Sequence, residues 1–168
     1  MAEQFLSRSF VVLLRKSNPQ ATTYKLQLYA ALYVMKESDI VKVNRIDHLV
    51  LTVKDINETV QFYSSAMGME KVEFGDGRIA LTFGQQKINL HQIGKEFEPK
   101  ARNVKSGSAD LCFIIGTPVE QAINHLISKG IKVIEGPVQR TGALGKIKSA
   151  YFRDPDGNLL EVSNYANV

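Results

Sequence analysis

The feature that most constrains how this chain folds is an order of predicted elements that occurs twice. From residue 44, a buried strand is followed by a helix and then by three strands, with turns at 75–77 and 84–86. The same order returns from residue 110, with a tight turn at 154–157 before the last strand. Two copies of one β-α-β-β-β unit predict an α+β fold of two paired modules whose curled, mixed sheets enclose a cavity.

The two helices are predicted from the signals at their starts. Asp55 is a residue type that caps helices, and Glu58 stands three positions later, where it completes a capping box. In the second copy Thr117 takes the capping position, Pro118 suits the first helical position and Glu120 completes a second box. The sequence therefore predicts matching helix starts in both modules.

These elements divide the chain into an N-terminal extension, residues 1–43, and a folded domain, residues 44–168. The domain contains the modules 44–93 and 108–165, joined by a polar linker at 96–102. The extension holds six Lys or Arg residues against three acidic ones. It is predicted to be either poorly ordered or a mitochondrial targeting segment, so the expected compartment is the cytoplasm or the mitochondrion.

Charge and composition exclude several classes of partner. The net charge is +4, but the 43-residue extension accounts for most of it and leaves the folded domain near +1, too little for a nucleic-acid interface. No run of apolar residues reaches the ~18 that a spanning helix needs, so no membrane insertion is expected. The single cysteine, Cys112, allows no intramolecular disulfide and reads as a small buried residue of a strand.

Candidate metal ligands stand in the first and last strands of both modules. When the two copies are aligned by their elements, His48 lies opposite Asp110 and His91 lies opposite Glu161. Two imidazoles with one or two carboxylates suit a divalent transition metal, with zinc, nickel and iron favoured over magnesium or calcium. A lone His in an apolar strand is more often a hydrogen-bonded core or edge residue, but the matching positions favour a shared metal site.

Two further residues are candidates for substrate binding. Arg140 and Thr141 stand in a glycine-rich segment, 136–145, which is predicted to be a loop. Such a loop can fold over a pocket and offer a guanidinium to an anionic group, although a solvated surface loop is the alternative.

Three segments of the chain carry a family resemblance. Residues 46–53, 57–63 and 152–161 resemble the vicinal oxygen chelate superfamily, which includes glyoxalase I, extradiol dioxygenases and fosfomycin resistance proteins. The resemblance covers residues 44–165, and Asp-Pro-Asp-Gly-Asn followed by an apolar pair and Glu161 is its most specific motif. It implies paired modules that hold a divalent metal, with a small substrate bound through neighbouring oxygens.

The resemblance also implies roles for the candidate residues. His48, His91, Asp110 and Glu161 take the positions of the glyoxalase I ligands, and a metal held there would act as a Lewis acid. Glu161 would be the catalytic base as well as a ligand, and glutathione is the candidate co-substrate. The chain departs from the pattern at His91, where a carboxylate or amide is expected, and at Asp110, where a His is expected.

The sequence leaves three functions open. The first is a glyoxalase I-like, metal-dependent lyase or isomerase acting on a small oxygen-rich compound such as a 2-oxoaldehyde adduct. The second is a non-catalytic small-molecule-binding module of the bleomycin-resistance type. The third is an iron-dependent dioxygenase, which would need two His and one carboxylate on one side of the metal. A homodimer is expected in each case, because half-open sheets leave edge strands unpaired.

Overall fold

The structure is a computed structural model that describes residues 23–24, 27–28 and 41–165. The chain divides into two units, Met1–Arg45 and Ile46–Val168, and the fold described below is that of the second. Most of the predicted leader, residues 1–43, lies outside the described residues. Within the described part of the chain, no helix is both long and apolar enough to cross a membrane.

The first module contains one helix and four strands. Its elements are β1 (His48–Val53), α1 (Ile56–Met67), β2 (Glu70–Phe74), β3 (Arg78–Phe83) and β4 (Gln86–Gln92). Helix α1 begins as predicted, because the Asp55 carboxylate accepts the backbone N–H of Glu58 at 2.9 Å. It ends at Gly68, whose φ of 65° is the left-handed conformation that a helix C-cap favours in glycine.

The second module repeats this order. Its elements are β5 (Asp110–Ile114), α2 (Val119–Ser128), β6 (Glu135–Gly142), β7 (Gly145–Arg153) and β8 (Leu159–Tyr165). The two sheets have equivalent strand orders, β1-β4-β3-β2 and β5-β8-β7-β6, in which only the first pair of each sheet is parallel. The predicted α+β class and its duplicated unit are therefore confirmed.

Two local predictions in the second module are wrong. The segment predicted as a loop, 136–145, forms most of β6 and the start of β7. Gly136 serves close packing instead: a Cβ there would lie 2.8 Å from the Cα of Ala150, nearer than real side chains approach. The predicted capping box at Thr117 is also absent. The first backbone N–H of α2, that of Val119, donates instead to the Asn164 side-chain oxygen at 2.8 Å.

Both modules contribute to one apolar core. Buried aliphatic residues of β1, β3 and β4 join those of β7 and β8 and the inner sides of the two helices. Phe83 of β3 meets Phe113 of β5 edge-on at 5.4 Å between ring centroids, and Phe62 of α1 lies 6.4 Å from Phe152 of β7. Tyr63 completes the junction by donating its hydroxyl to Asp154 at 3.0 Å. The modules thus pack together through the sides that carry their helices.

Candidate metal and substrate site

Each sheet has one face packed into the core and one face turned away from it. In β1, Leu49, Leu51 and Val53 join the core, so the residues that alternate with them lie on the other side of the sheet. Residues paired across the β1–β4 ladder point to the same side of the sheet, so the side that faces away from the core extends across both strands. We call it the first face, and it comprises His48, Val50, Thr52, Lys87, Asn89 and His91.

The second module presents an equivalent surface. Leu160 and Val162 of β8 are in the core, so Glu161 and Ser163 lie on the opposite side, next to their cross-strand partners in β5 and β7. We call this the second face, and it comprises Asp110, Cys112, Ser149, Tyr151, Glu161 and Ser163.

The strand ladders correct one of the predicted correspondences. His48 pairs with Lys87 and Asp110 pairs with Leu159, so His48 and Asp110 hold equivalent positions as predicted. Two residues further along each ladder, Val50 pairs with Asn89 and Cys112 pairs with Glu161. The equivalent of Glu161 is therefore Asn89. The predicted matching of His91 with Glu161 is wrong by two residues, because His91 lies two positions beyond Asn89 on the same face of β4.

Asn89 is the candidate that sequence reasoning missed. Its side-chain oxygen is buried and has no hydrogen-bond partner among the described residues. An unpaired buried amide oxygen is costly, and such atoms are often completed by a bound water, ion or ligand. In the sequence Asn89 is only a single amide between Ile88 and Leu90. The strand register is what shows that it is equivalent to Glu161.

His48 lies at the start of the first face with its ring half exposed. Its Nδ1 lies 2.8 Å from the carboxylate of Asp47, which leaves Nε2 as the nitrogen available to a ligand. A carboxylate behind an imidazole is the usual arrangement for a metal-binding His, because it fixes the ring and raises its basicity.

His91 lies further along the same face. It is 8% exposed, its Nδ1 has no partner among the described residues, and its ring meets Phe97 edge-on at 5.6 Å between centroids. It pairs with Thr52, four residues beyond His48, which corresponds to ~13 Å along the strand. With metal–nitrogen bonds of about 2 Å, a shared ion is easier for His48 and Asn89 than for His48 and His91.

Glu161 is surrounded by hydroxyl groups. Ser163 donates to its carboxylate at 3.2 Å, and the hydroxyls of Ser149 and Tyr151 also face it. Burial alone would raise the pKa of Glu161, but these hydrogen bonds outweigh burial and hold the pKa below its ordinary value. Glu161 is therefore ionised at neutral pH, the state in which a carboxylate binds a cation or accepts a proton.

Of the remaining predicted residues, Asp110 and Arg140 lie on or beside the second face, and Thr141 does not. Asp110 is exposed at the start of β5. Arg140 of β6 donates to Glu135 at 2.8 Å, and its guanidinium lies 5.4 Å from the centre of the Tyr151 ring. Thr141 follows Arg140 in the strand, so its side chain lies on the opposite side of β6. The structure thus connects Arg140 to the second face through Tyr151 and does not bring Thr141 there.

The two faces do not converge within one chain. Among the described residues, no three His, Cys, Asp or Glu side chains are grouped closely enough to hold a metal ion. The reason is the way the modules pack: their helix-bearing sides share the core, so the first and second faces lie on the outer sides of the two sheets. His48 with Asn89, and Asp110 with Glu161, occupy matching ladder positions in the two sheets, and we call these two pairs the candidate half-sites.

The chain belongs to the Glyoxalase/Bleomycin resistance protein/Dioxygenase superfamily. The sequence model of that family matches residues 45–162, a span that contains both half-sites. The duplicated β-α-β-β-β module of this chain is consistent with the fold of that family.

Several relatives are close. The virulence protein STM3117 of Salmonella typhimurium is 54% identical over 133 residues, which cover 79% of this chain and 92% of that protein. Glyoxalase domain-containing protein RDO1 of Mycosarcoma maydis is 56% identical over 126 residues, covering 75% and 71% of the two chains. The integron cassette protein VCH_CASS1 from the mobile metagenome of V. cholerae, whose structure is solved, is 61% identical in sequence, with a TM-score of 0.74 over 76% of this chain and 99% of that one.

More distant matches have named activities. The metallothiol transferase FosB of Shouchella clausii is 26% identical over 128 residues, which cover 71% of this chain and 80% of that protein. A lactoylglutathione lyase of Agrobacterium tumefaciens shares the fold, with a TM-score of 0.59 over 74% of this chain and 96% of that one at 23% identity.

Proposed function

We propose that this protein is a metal-dependent lyase or isomerase of the glyoxalase I type, whose site is completed by a second copy of the chain. The observation that carries the proposal is the equivalence of the two half-sites. His48 and Asn89 occupy the same ladder positions in the first sheet as Asp110 and Glu161 in the second. Divalent metal dependence is general in this superfamily, which agrees with such a donor set.

The outward direction of the half-sites supports the proposal of a homodimer. A two-fold axis that lays the first face of one copy on the second face of its partner also does the reverse, and so creates two equal sites. Two large apolar residues are exposed on these strands: Val50 of β1 is 46% exposed and Ile114 of β5 is 55% exposed. Covering them would contribute favourable apolar burial to the association.

The donor set suits zinc, nickel or iron. His48, Asp110 and Glu161 would hold the ion, and Asn89 is better placed than His91 for the fourth position. When bound, the ion would supply a Lewis acid beside a substrate carbonyl. Asp47 orients the His48 ring, and the hydroxyls of Ser149, Tyr151 and Ser163 keep Glu161 ionised. In this state Glu161 is ready to accept a proton from the carbon next to that carbonyl.

The substrate proposed is a small oxygen-rich compound such as a 2-oxoaldehyde adduct, with glutathione as the co-substrate. The name of the FosB relative combines a metal with a thiol, which supports a thiol co-substrate here. Arg140 and Thr141 are proposed as substrate-binding residues, and the guanidinium beside Tyr151 is the better placed of the two. Within the family we infer a relationship to glyoxalase domain-containing protein 5, which the chain resembles at residues 87–91, 97–101 and 135–143.

Metal analysis of the purified full-length protein tests the proposal. After loading with Zn²⁺ or Ni²⁺ and removal of the excess, we expect close to one ion per chain by mass spectrometry. The double variant His48→Ala, Glu161→Ala should lose most of it, because each site loses one ligand from each face. His125→Ala is the matched control: His125 is exposed on α2 and bonds the Ser65 carbonyl, away from both faces.

A non-catalytic binding module is the second candidate. It is favoured by the absence of any three grouped metal-capable side chains within the described part of a single chain. Equal and negligible metal in the wild type and the double variant would support it and would contradict the metal-dependent enzyme. The dioxygenase alternative is less well supported, because it needs His48 and His91 on one ion despite their separation of ~13 Å along the sheet.

A further inference from the structure

A cavity of about 400 Å³ lies on the first face, beside the metal half-site. Its floor is the sheet, and its cover is the segment that joins the two modules. Pockets for small ligands typically begin at about 300 Å³, so the space suits one compact group. We call it the linker pocket, and it is lined by Val50, Thr52, His91, Pro99, Lys100, Ala101 and Val104.

His91 provides the unsatisfied polar group of this pocket. The side chain is more than nine-tenths buried, and its Nδ1 has no hydrogen-bond partner among the described residues. Phe97 packs edge-on against the ring and helps to fix its direction. His91 lines the cavity, and a buried ring nitrogen without a partner is costly, so a ligand atom that completes this nitrogen would be stabilising.

The charge of the cover shows what kind of ligand fits. The Lys100 ammonium lies 3.2 Å from the carboxylate of Glu96 and 3.5 Å from that of Glu98. Its charge is therefore already balanced, and the aliphatic part of its side chain is what remains for the pocket. The other walls are valine, proline and alanine together with the neutral polar residue Thr52, so the pocket favours a neutral, largely apolar group over an anion.

We infer that the linker pocket binds the non-reacting end of the substrate, a compact apolar group with one neutral hydroxyl or carbonyl oxygen that hydrogen-bonds to His91 Nδ1. His91 is then a specificity residue rather than a metal ligand. The inference rests on the proposed function only for the position of the reacting end, at His48 and Asn89. The two positions are adjacent, because Asn89 and His91 are alternate residues of one strand on one face.

Two matched probes test the pocket in the full-length protein. 1-Phenylethanol has a hydroxyl that can donate to or accept from the imidazole, and ethylbenzene is the same molecule without it. Binding is followed through the methyl NMR signals of Val50 and Val104, which lie on opposite walls. We expect 1-phenylethanol to bind at least tenfold more weakly to His91→Phe than to the wild type, and ethylbenzene to bind both equally. Benzoate should bind the wild type more weakly than 1-phenylethanol.

Two variants control for folding and position. Ala101→Phe fills the pocket from its cover and changes no residue of the sheet, so it should abolish binding of both probes even if His91→Phe proves unstable. His125→Phe replaces an exposed His outside the pocket and should bind both probes as the wild type does. The inference is overturned if neither probe gives saturable shifts, or if Ala101→Phe binds them unchanged.

Metal content separates this inference from the proposed function. If His91→Phe loses its metal, His91 is a metal ligand and the specificity role fails, while the metal-dependent enzyme stands. If the wild type holds no metal but still binds 1-phenylethanol through His91, the proposed enzyme fails and the linker pocket stands.

Discussion

At the scale of single residues, the buried pair of Tyr63 and Asp154 holds the two modules together. Asp154 accepts the Tyr63 hydroxyl at 3.0 Å and the Asn158 amide at 2.7 Å, so its carboxylate is satisfied from both modules. Burial, and then the charge of Asp154, raise the pKa of Tyr63 far above its ordinary value. The fold therefore depends on the neutral form of this tyrosine.

This dependence predicts a specific loss of stability in alkali. Because the folded-state pKa is raised, the contribution of Tyr63 is complete below the unfolded value of about 10 and is lost as pH rises above it, by ~1.4 kcal/mol per pH unit. Tyr63→Phe should cost ~1–3 kcal/mol at pH 7, and the difference should shrink above pH 10. Urea unfolding of both proteins at several pH values measures this, and a constant difference across the range would contradict it.

The candidate site shows which residue-scale features a sequence can reveal. The sequence predicts His48 and Glu161 as candidates because each is an isolated polar group in an apolar strand, and it predicts Asp110 because the repeat places it opposite His48. Asn89 was missed and His91 was matched in its place, since strand alternation places both on one face and only the ladder register separates them. Register depends on pairing between β1 and β4, which residues near Asn89 in sequence do not encode.

At the scale of elements, the two helices begin by different means. Asp55 caps α1 from three residues away, and this local signal was readable in the sequence. The start of α2 is capped by Asn164, which is 45 residues distant from Val119 and also donates to the carbonyls of Ile115 and Thr117. Asn164 lies in β8, so it can cap α2 only after the sheet has formed. The local sequence shows no sign of this contact and instead favours Thr117 as the cap.

The two capping assignments predict unequal effects of mutation. Asn164→Ala removes three hydrogen bonds at the start of α2 and should lower the free energy of unfolding by ~2 kcal/mol. Thr117→Ala should change it by less than ~0.5 kcal/mol, because the threonine side chain makes no capping hydrogen bond. Denaturant titrations compare the variants, and equal losses would show that Thr117 contributes to the cap after all.

At the scale of the whole molecule, the duplicated order and α+β class were predictable because each module carries its own strand and turn signals. The direction in which the half-sites face was not predictable from the sequence. It depends on Phe83 meeting Phe113 and on Phe62 meeting Phe152, contacts that turn the helix-bearing sides inward. In place of the single cavity shared by both modules of one chain, which the sequence predicts, we therefore propose a site shared between two chains.

Mixing two inactive variants tests that arrangement. Homodimers of His48→Ala and of Glu161→Ala each have one damaged face at both sites and should bind little metal. In a mixed dimer, one site combines the intact first face of one copy with the intact second face of the other. After subunit exchange, which native mass spectrometry verifies, half of the dimers are mixed and metal binding should reach about a quarter of the wild-type level. If both faces served one site within a chain, exchange would restore nothing.

The segment between the modules, which covers the linker pocket, gives the fold a particular evolutionary freedom. A connecting loop tolerates insertion and deletion far better than a strand does. Here that loop is also a wall of a binding cavity, so a change in its length alters the ligands that are accepted while the half-sites on β1, β4, β5 and β8 stay in place. Substrate range in descendants of this chain should accordingly diversify by loop length before it diversifies by exchange of reactive groups.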